Sequence, residues 1–575
     1  MDAAQQPAAG PGHRTRLRRD TLRYGIVLVA TIVLTALNAL VLRYFDLAGL
    51  PSVFGLDLVV QVLLIVLLLY SLAIVLRTPA TVLWSIVVSA SRGIEQNEYI
   101  RRVDARVPRL LPWLKRRFAT DRPTGLALTI GVVVTTVLLV LFLNLIRAVA
   151  SGAYLAVDER VVSLMPSLRT PAETRFFAFF TFSAGFVGIL FFIAVLTVGA
   201  LVRRRWWLPA LFAVAYGLET LCSDLTKLLV HRPRPDQALH AVAVAGFSFP
   251  SGHVLSATVV YGLAAYVAFR SARSSLVRVL IVLLAVAVVL LVGISRVYFG
   301  VHYPTDVAGA ALLGGAILAV LITVVEITQR FRLVPWWTVD RADRGPVIVA
   351  AAVTALFAAI FSGPLTPVHS APATTAVEEV TSVDARTLAR FPHYSETLTG
   401  DRMEPVSLVF VGSRGELEDA FRTAGWYQAD SPTVGNSLRE LLTAARNEQY
   451  LTAPVTPAYL DAKPQDLAFE KPTGANTLQQ RHHTRIWRLP ADLNGRPVWV
   501  ATASLDRGVG IGSQVPLPTH HIDPDVDAER SYLLRSLGVE HPSYVRVVRP
   551  QLGHNAGGDA FFTDGRAAVV PLGGR

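Results

Sequence analysis

LIVLLAVAVVLLVGISRVYFGVHYPTD, residues 280–306, passes from one chemistry to another within a few positions. Up to Ile294 it is apolar. From Ser295 onward it places Arg296, His302 and Asp306 close together. An apolar run of this kind reads as a helix crossing a bilayer, for which about 20 residues suffice. Its polar end then falls at the water boundary, where charge serves either as an anchor or as a site. Two other stretches repeat the arrangement. KLLVHRPRP at 227–235 and FSFPSGHV at 247–254 each flank an apolar run. Three pieces of sequence far apart in the chain thus present polar groups at span ends, which predicts an all-α polytopic membrane bundle with a site at one face.

Composition agrees. Of 575 residues 52% are hydrophobic and only 17% are charged, against about a quarter in an ordinary soluble protein. Mean hydropathy is +0.45. These values point to a membrane protein with a water-facing part. The net charge of +12 sits largely in short loops between apolar runs, so it reads as topology and predicts no nucleic-acid partner. The single cysteine, Cys222, lies in an apolar run and reads as packing, so any part beyond the cytoplasm must be stable without disulfides.

Segments of spanning length fall at 24–43, 57–76, 125–146, 177–202, 207–223, 254–269, 277–294, 306–327 and 347–362. The first is too long for a signal peptide and ends in Arg43-Tyr44-Phe45, so it reads as a retained span. The fifth holds Glu219 and borders Asp224. With the N-terminus in the cytoplasm, the alternate loops carrying Arg101 to Arg117, Arg203 to Arg205, Arg270 to Arg278 and Arg330 to Arg344 also lie inside. This puts the three polar clusters, and everything after about residue 363, on the extracytoplasmic face of the plasma (bacterial inner) membrane.

Phosphoryl transfer needs what these clusters contain. The transferred group wants fixed cations and aimed N–H donors, with a nucleophile and an acid for the leaving oxygen. Arg234 and Arg296 offer planar forks and Lys227 a point charge. Ser251 and Gly252 bring a hydroxyl and an unobstructed backbone N–H. His253 and His302 suit acid and nucleophile, and Asp306, one helical turn after His302, can fix its tautomer. Each feature also has a plainer reading. Lys227 suits a snorkelling anchor, and His302 with Asp306 a capped helix start. His231 and Arg232 read as anchors.

The order and spacing resemble a known superfamily. Lys227, six residues, Arg234-Pro235; then Pro250-Ser251-Gly252-His253; then Ser295-Arg296, five residues, His302, three residues, Asp306: these resemble the motifs of type 2 phosphatidate phosphatases and vanadium haloperoxidases, over roughly residues 150–327. The resemblance implies a helical core and roles for the matching positions. His302 would be the nucleophile that becomes phosphohistidine, Asp306 its orienter and His253 the acid. Lys227, Arg234, Ser251, Gly252 and Arg296 would hold the phosphate oxygens. It implies no metal and no cofactor, and embedding in spans favours the phosphatase branch with a phosphorylated lipid as substrate.

Past residue 363 the composition turns to Pro, Ser and Thr, a linker, and then to mixed α and β signals. VSLVFVGS (406–413) predicts a strand; Ser413 with Glu416 predicts a capped helix closed by Gly425. RHHTRIWRL (481–489) and VWVATAS (498–504) predict strands joined through Asn494-Gly495. RHHTRIW, Asp506 and THHIDPDVDAER (519–530) resemble the LssY-type C-terminal domain. His482, His483, His520, His521, Asp523, Asp525 and Asp527 supply donors enough for a metal. Adjacent histidines on a strand point to opposite faces, however, and a buried polar network or a binding surface stays equally open.

The organisation expected is membrane spans with a basic cytoplasmic loop over 1–148, a phosphatase core over 149–330, a last span and linker over 331–375, and a soluble extracytoplasmic α+β domain over 376–575. The activity expected is hydrolysis of a lipid phosphomonoester or diphosphate such as undecaprenyl diphosphate, phosphatidate or phosphatidylglycerophosphate. A phosphotransferase on the same scaffold, or a non-catalytic scaffold or transporter, are the alternatives.

Overall fold

The computed structural model describes residues 116–117, 119, 123–333, 339–340, 342–362, 377–446, 448–477, 480–511, 518–555 and 558–573. The expected spans at 24–43 and 57–76, most of the basic loop after them and the linker following 363 lie outside the described residues.

The described apolar runs fold as helices. In chain order these are α1 (Leu126–Ala150), the short polar α2 (Leu155–Leu164), α3 (Pro171–Ala184), α4 (Phe186–Val202), α5 (Trp207–Val230), α6 (Gly252–Ser271), α7 (Ser275–Tyr298), α8 (Pro304–Arg330) and α9 (Arg344–Phe361). Six of them, α1 and α5 to α9, are long and apolar enough to cross a membrane. The protein is a multi-pass membrane protein.

One expected span is bent. The run 177–202 is not a single helix: α3 and α4 meet at an angle of 57°. Gly185, with φ −74° and ψ 170°, is extended and breaks the helical ladder between them. A Cβ at that position would stand 3.2 Å from His253 Nε2, so the bare backbone leaves room for the imidazole.

Helices in lipid associate through close packing of small residues. The sequence of α8, PTDVAGAALLGGAILAV, provides them. A Cβ at Gly309 would sit 2.5 Å from the Phe249 ring, and one at Gly262 of α6 2.5 Å from Leu318. The core between α4, α5, α6 and α8 is accordingly dry, with Phe192, Phe212, Phe249, Val254 and Leu255 wholly buried.

The C-terminal region is α+β. A nine-stranded sheet runs in the order 543–546, 566–571, 408–411, 496–511, 480–493, 467–477 and 427–428, with 378–380 and 518–522 pairing off that path. The expected strand at 406–413 is Leu408–Val411, and those at 481–489 and 498–504 lie inside the long hairpin Gln480–Leu493 and Arg496–Ile511. That hairpin turns on Asn494 and Gly495, both at positive φ, as a two-residue turn of matching twist requires. Ser413 and Glu416 form the capping box of helix Arg414–Thr423, and Gly425 follows it at φ +76°. Phe410, Phe421, Phe469 and Trp487 fill the two cores on the faces of the sheet.

Candidate functional site

Each motif lies at a helix end. α5 ends at Val230, and His231 turns left-handed (φ 49°) ahead of Pro233 and Pro235, which cannot continue a helix. Ser251, extended, precedes the first residue of α6. α7 ends at Tyr298, and the chain then bends through Gly300 (φ +72°), where a Cβ would strike the Leu239 carbonyl at 2.2 Å. Pro304 opens α8, and the Asp306 carboxylate accepts from the Tyr303 N–H at 2.8 Å, so the nucleophile candidate sits on a rigid capped turn.

These ends bring the motif residues together. Arg234 Nη1 lies 3.2 Å from His302 Nε2 and donates to the Val301 carbonyl at 2.8 Å. The rest of its fork donates to the Gly246 and Ala245 carbonyls. His302 Nδ1 faces Asp306 Oδ2 at 3.4 Å. An arginine only donates, so Nε2 must be the acceptor and the imidazole proton belongs on Nδ1, toward Asp306. Arg296, buried, donates to Thr181 Oγ1 of α3 at 2.6 Å while its Nε meets no partner among the described residues. His253 stands in the field of Arg296, His302, Arg234 and Lys227. Lys227 Nζ is 3.8 Å from where a Cβ on Gly252 would be, and 3.9 Å from Asp224 Oδ1. The Ser251 hydroxyl is fully buried and has no hydrogen-bond partner among the described residues.

Charge is unbalanced here. Among the described residues neither Arg234 nor Arg296 is paired with a carboxylate; their donors end on carbonyls, a hydroxyl and an imidazole nitrogen. Burial, with Arg296 and Arg234 nearby, pushes the His302 pKa down to about 4 even though Asp306 pulls the other way. The ring is therefore neutral and nucleophilic at neutral pH. The arrangement is a cationic pocket with idle donors around an unprotonated imidazole nitrogen, which suits an anion that is to be attacked.

Four residues of this neighbourhood escaped the sequence reading. Arg232 is no anchor. Its Nη1 donates to Asp306 Oδ1 at 2.6 Å and its Nη2 to Asp158 Oδ2 at 2.7 Å. A guanidinium between two buried carboxylates has no reason to snorkel, and only its place two residues before Arg234 hinted at this. Ser248 donates its hydroxyl to Asp306 Oδ2, and Thr181 meets Arg296. Asp158, in a helix of polar sequence, carried no motif. Glu219, an acidic residue within a span, accepts from Ser256 Oγ at 2.6 Å.

The paired histidines of the C-terminal region go separate ways. His482 Nδ1 meets Glu529 at 2.9 Å and stacks on Tyr532, whereas His483 Nδ1 lies 3.0 Å from Asp506 on the other face. His521 pairs with Asp559 at 2.6 Å, and the His520 side chain lies outside the described residues. Among the described residues no three ligand-type side chains gather around one point.

Comparison with known proteins matches residues 207–330 to the PAP2 superfamily and residues 388–567 to the family described as LssY C-terminus. Phosphatidylglycerophosphatase B of Bacillus subtilis is 32% identical over 200 residues, covering 34% of this chain and 96% of the relative. Decaprenylphosphoryl-5-phosphoribose phosphatase of Mycobacterium tuberculosis is 38% identical over 133 residues, 23% of this chain and 67% of the relative. The crystal structure of the first transmembrane PAP2 type phosphatidylglycerolphosphate phosphatase from Bacillus subtilis aligns at 30% identity and a TM-score of 0.32, over 34% of this chain and 98% of that one.

Proposed function

We propose that this chain, which belongs to the PAP2 superfamily and is a membrane-embedded phosphatase, hydrolyses a lipid phosphomonoester or diphosphate through a phosphohistidine on His302. The observation that carries the reading is the pairing of an unprotonated His302 Nε2 with the Arg234 fork at 3.2 Å, in a pocket whose arginines lack carboxylate partners among the described residues. In this reading Arg234, Arg296 and Lys227, with the Ser251 hydroxyl and the Gly252 N–H, hold the phosphate oxygens. His302 Nε2 attacks phosphorus while Nδ1–H stays on Asp306. The bond from that phosphorus to the leaving oxygen breaks, the leaving group being the lipid alcohol of a monoester or the lipid monophosphate of a diphosphate, and the leaving oxygen takes a proton from His253. Water then attacks the phosphohistidine, returns that proton to His253 and releases phosphate.

Relatives named for phosphatidylglycerophosphate and for a decaprenylphosphoryl sugar phosphate support a lipid carrying a terminal phosphate; phosphatidate and undecaprenyl diphosphate belong to the same chemical class. The Lys/Arg content of the loops supports a site on the extracytoplasmic face, with the core over 149–330 and an LssY-like domain over 376–575 on that side. The test is phosphate release by the purified chain from dioctanoyl phosphatidate, phosphatidylglycerophosphate and undecaprenyl diphosphate. Release by the wild type, and none by a folded His302→Ala protein, is expected. Wild-type-level release by His302→Ala would overturn the mechanism, and label appearing on an acceptor alcohol would replace hydrolysis by transfer.

A further inference from the structure

The side of Asp306 turned away from His302 is as heavily built as the side facing it. Asp306 Oδ2 accepts from the Tyr303 N–H and the Ser248 hydroxyl and looks toward His302, while Oδ1 accepts from Arg232. Arg232 also lies 4.3 Å over the Tyr303 ring. Its second fork arm ends on Asp158 of α2, and Asp158 accepts in addition from the Thr305 N–H at 3.2 Å and from the Thr305 hydroxyl. Side-chain exposures are 8% for Arg232, 2% for Asp158 and 0% for Asp306. Burying a cation and two carboxylates is costly unless the geometry is closely satisfied, and here it is.

The same short helix holds the C-terminal region by its other residues. Arg160 Nη2 pairs with Glu396 Oε2 at 2.5 Å, and a Cβ at Gly400 would be 2.9 Å from Arg160 Nη1. Ser163 Oγ donates to the Ala462 carbonyl at 2.8 Å, on a tight turn where Asp461 and Ala462 both have positive φ. α2 is thus the piece shared by the C-terminal region and the site.

We propose that Asp158 and Arg232 are positioning residues that fix the Asp306 carboxylate, and that docking of the C-terminal region on α2 through Arg160 and Ser163 holds this pair in register. The inference rests on the reading of His302 as the nucleophile. Neither Asp158 nor Arg232 touches the imidazole, so both act through Asp306. Sharing Arg232 between two carboxylates leaves Asp306 with more negative charge toward Nδ1–H than an exclusive pair would. The charged or titratable groups that face His302 are Asp306 from α8, Arg296 from α7, His253 from α6 and Arg234 from the segment after α5.

The experiment uses the full chain with dioctanoyl phosphatidate, phosphatidylglycerophosphate and undecaprenyl diphosphate in detergent micelles. It compares wild type, Asp158→Asn, Arg232→Lys, the double variant and Glu396→Gln. Asp158→Asn and Arg232→Lys are each expected to lower kcat by about 10-fold at unchanged KM, within the roughly 10²-fold that small misplacements cost. The double variant should be no worse than Arg232→Lys alone, because the two act through one contact. Asp158→Asn, which hands Arg232 wholly to Asp306, should move the acid limb of kcat/KM to lower pH. Glu396→Gln, on the partly exposed side and expected to fold even where the buried variants do not, should lower kcat about 3-fold with KM unchanged. Additive losses with an unmoved acid limb would mean a merely structural role and overturn the inference, as would wild-type kcat in Glu396→Gln for the docking half of it. No release by the wild type from any of the three lipids would instead overturn the phosphatase reading, and this inference with it.

Discussion

At the membrane site Arg234 and Arg296 end on carbonyl oxygens, a hydroxyl and an imidazole nitrogen; in the C-terminal sheet Arg481 ends on Glu470, Asp506 and Glu440 at 2.7, 3.2 and 3.4 Å. Both places bury arginine, histidine and carboxylate side by side. In the sheet the buried arginines are answered: besides Arg481, Arg485 has Glu404 at 3.8 Å with the Thr456 carbonyl, and His483 lies 3.0 Å from Asp506. At the membrane site Asp158 and Asp306 answer Arg232 and Asp224 lies 3.9 Å from Lys227, while among the described residues no carboxylate pairs with the two motif arginines. Residue type does not distinguish the clusters. Stoichiometry does: a surplus of buried positive charge with idle donors is built to receive an anion, while a matched set holds a fold.

Mutation separates the two. On the proposed reading Arg296→Ala removes a donor to the phosphate and should lower kcat/KM by ~10²–10³-fold with little loss of stability. Arg481→Ala leaves Glu470 buried without its cation and removes one of the partners of buried Asp506, and should cost about 3–5 kcal/mol in the unfolding of the C-terminal region while KM stays unchanged. Denaturation followed by far-UV circular dichroism, beside phosphate-release kinetics, reads both. If the two variants exchanged effects, the contrast would be lost.

A pH profile sharpens it. Because the folded pKa of His302 is depressed to about 4, the imidazole is neutral above that value and is protonated, losing its nucleophilic lone pair, as pH falls through it. Once the substrate's own ionisation is allowed for, the acid limb of kcat/KM should fall near pH 4 rather than at the ordinary imidazole value of about 6.5. An acid limb near 6.5 would mean that His302 is more solvated than its burial implies.

The smallest effect concerns packing. Gly309→Val pushes a branched side chain into the Phe249 ring, 2.5 Å from where a Cβ would begin. It should cost about 1–3 kcal/mol, read as a lower melting temperature of the purified protein, with KM changed little.

Much of this was legible in the sequence for a physical reason. Hydrocarbon demands long apolar runs, and the described helices fall where the runs predict them, apart from the bend at Gly185. That bend was hidden because a glycine inside an apolar run looks the same whether the chain is straight or broken; its neighbour His253 is brought near only by the tertiary fold. The motif spacings marked His302, Arg234 and their companions because the groups of the candidate site sit at fixed offsets from helix ends. Arg232 and Asp158 stayed hidden because their bond joins α2 to the segment after α5, 74 residues apart, and pairing at that distance leaves no local pattern. The histidines of the C-terminal region looked like ligands in sequence because adjacency mimics convergence, and the alternation of a strand undid it.

The most direct test is to trap the intermediate. Purified protein is mixed with phosphatidylglycerophosphate carrying a radiolabelled terminal phosphate and quenched in alkali within the first turnover, where phosphohistidine survives. The account predicts close to one label per protein on the peptide containing His302, and none in His302→Ala. Turnover by wild type with no label on that peptide, or label retained in His302→Ala, would contradict it.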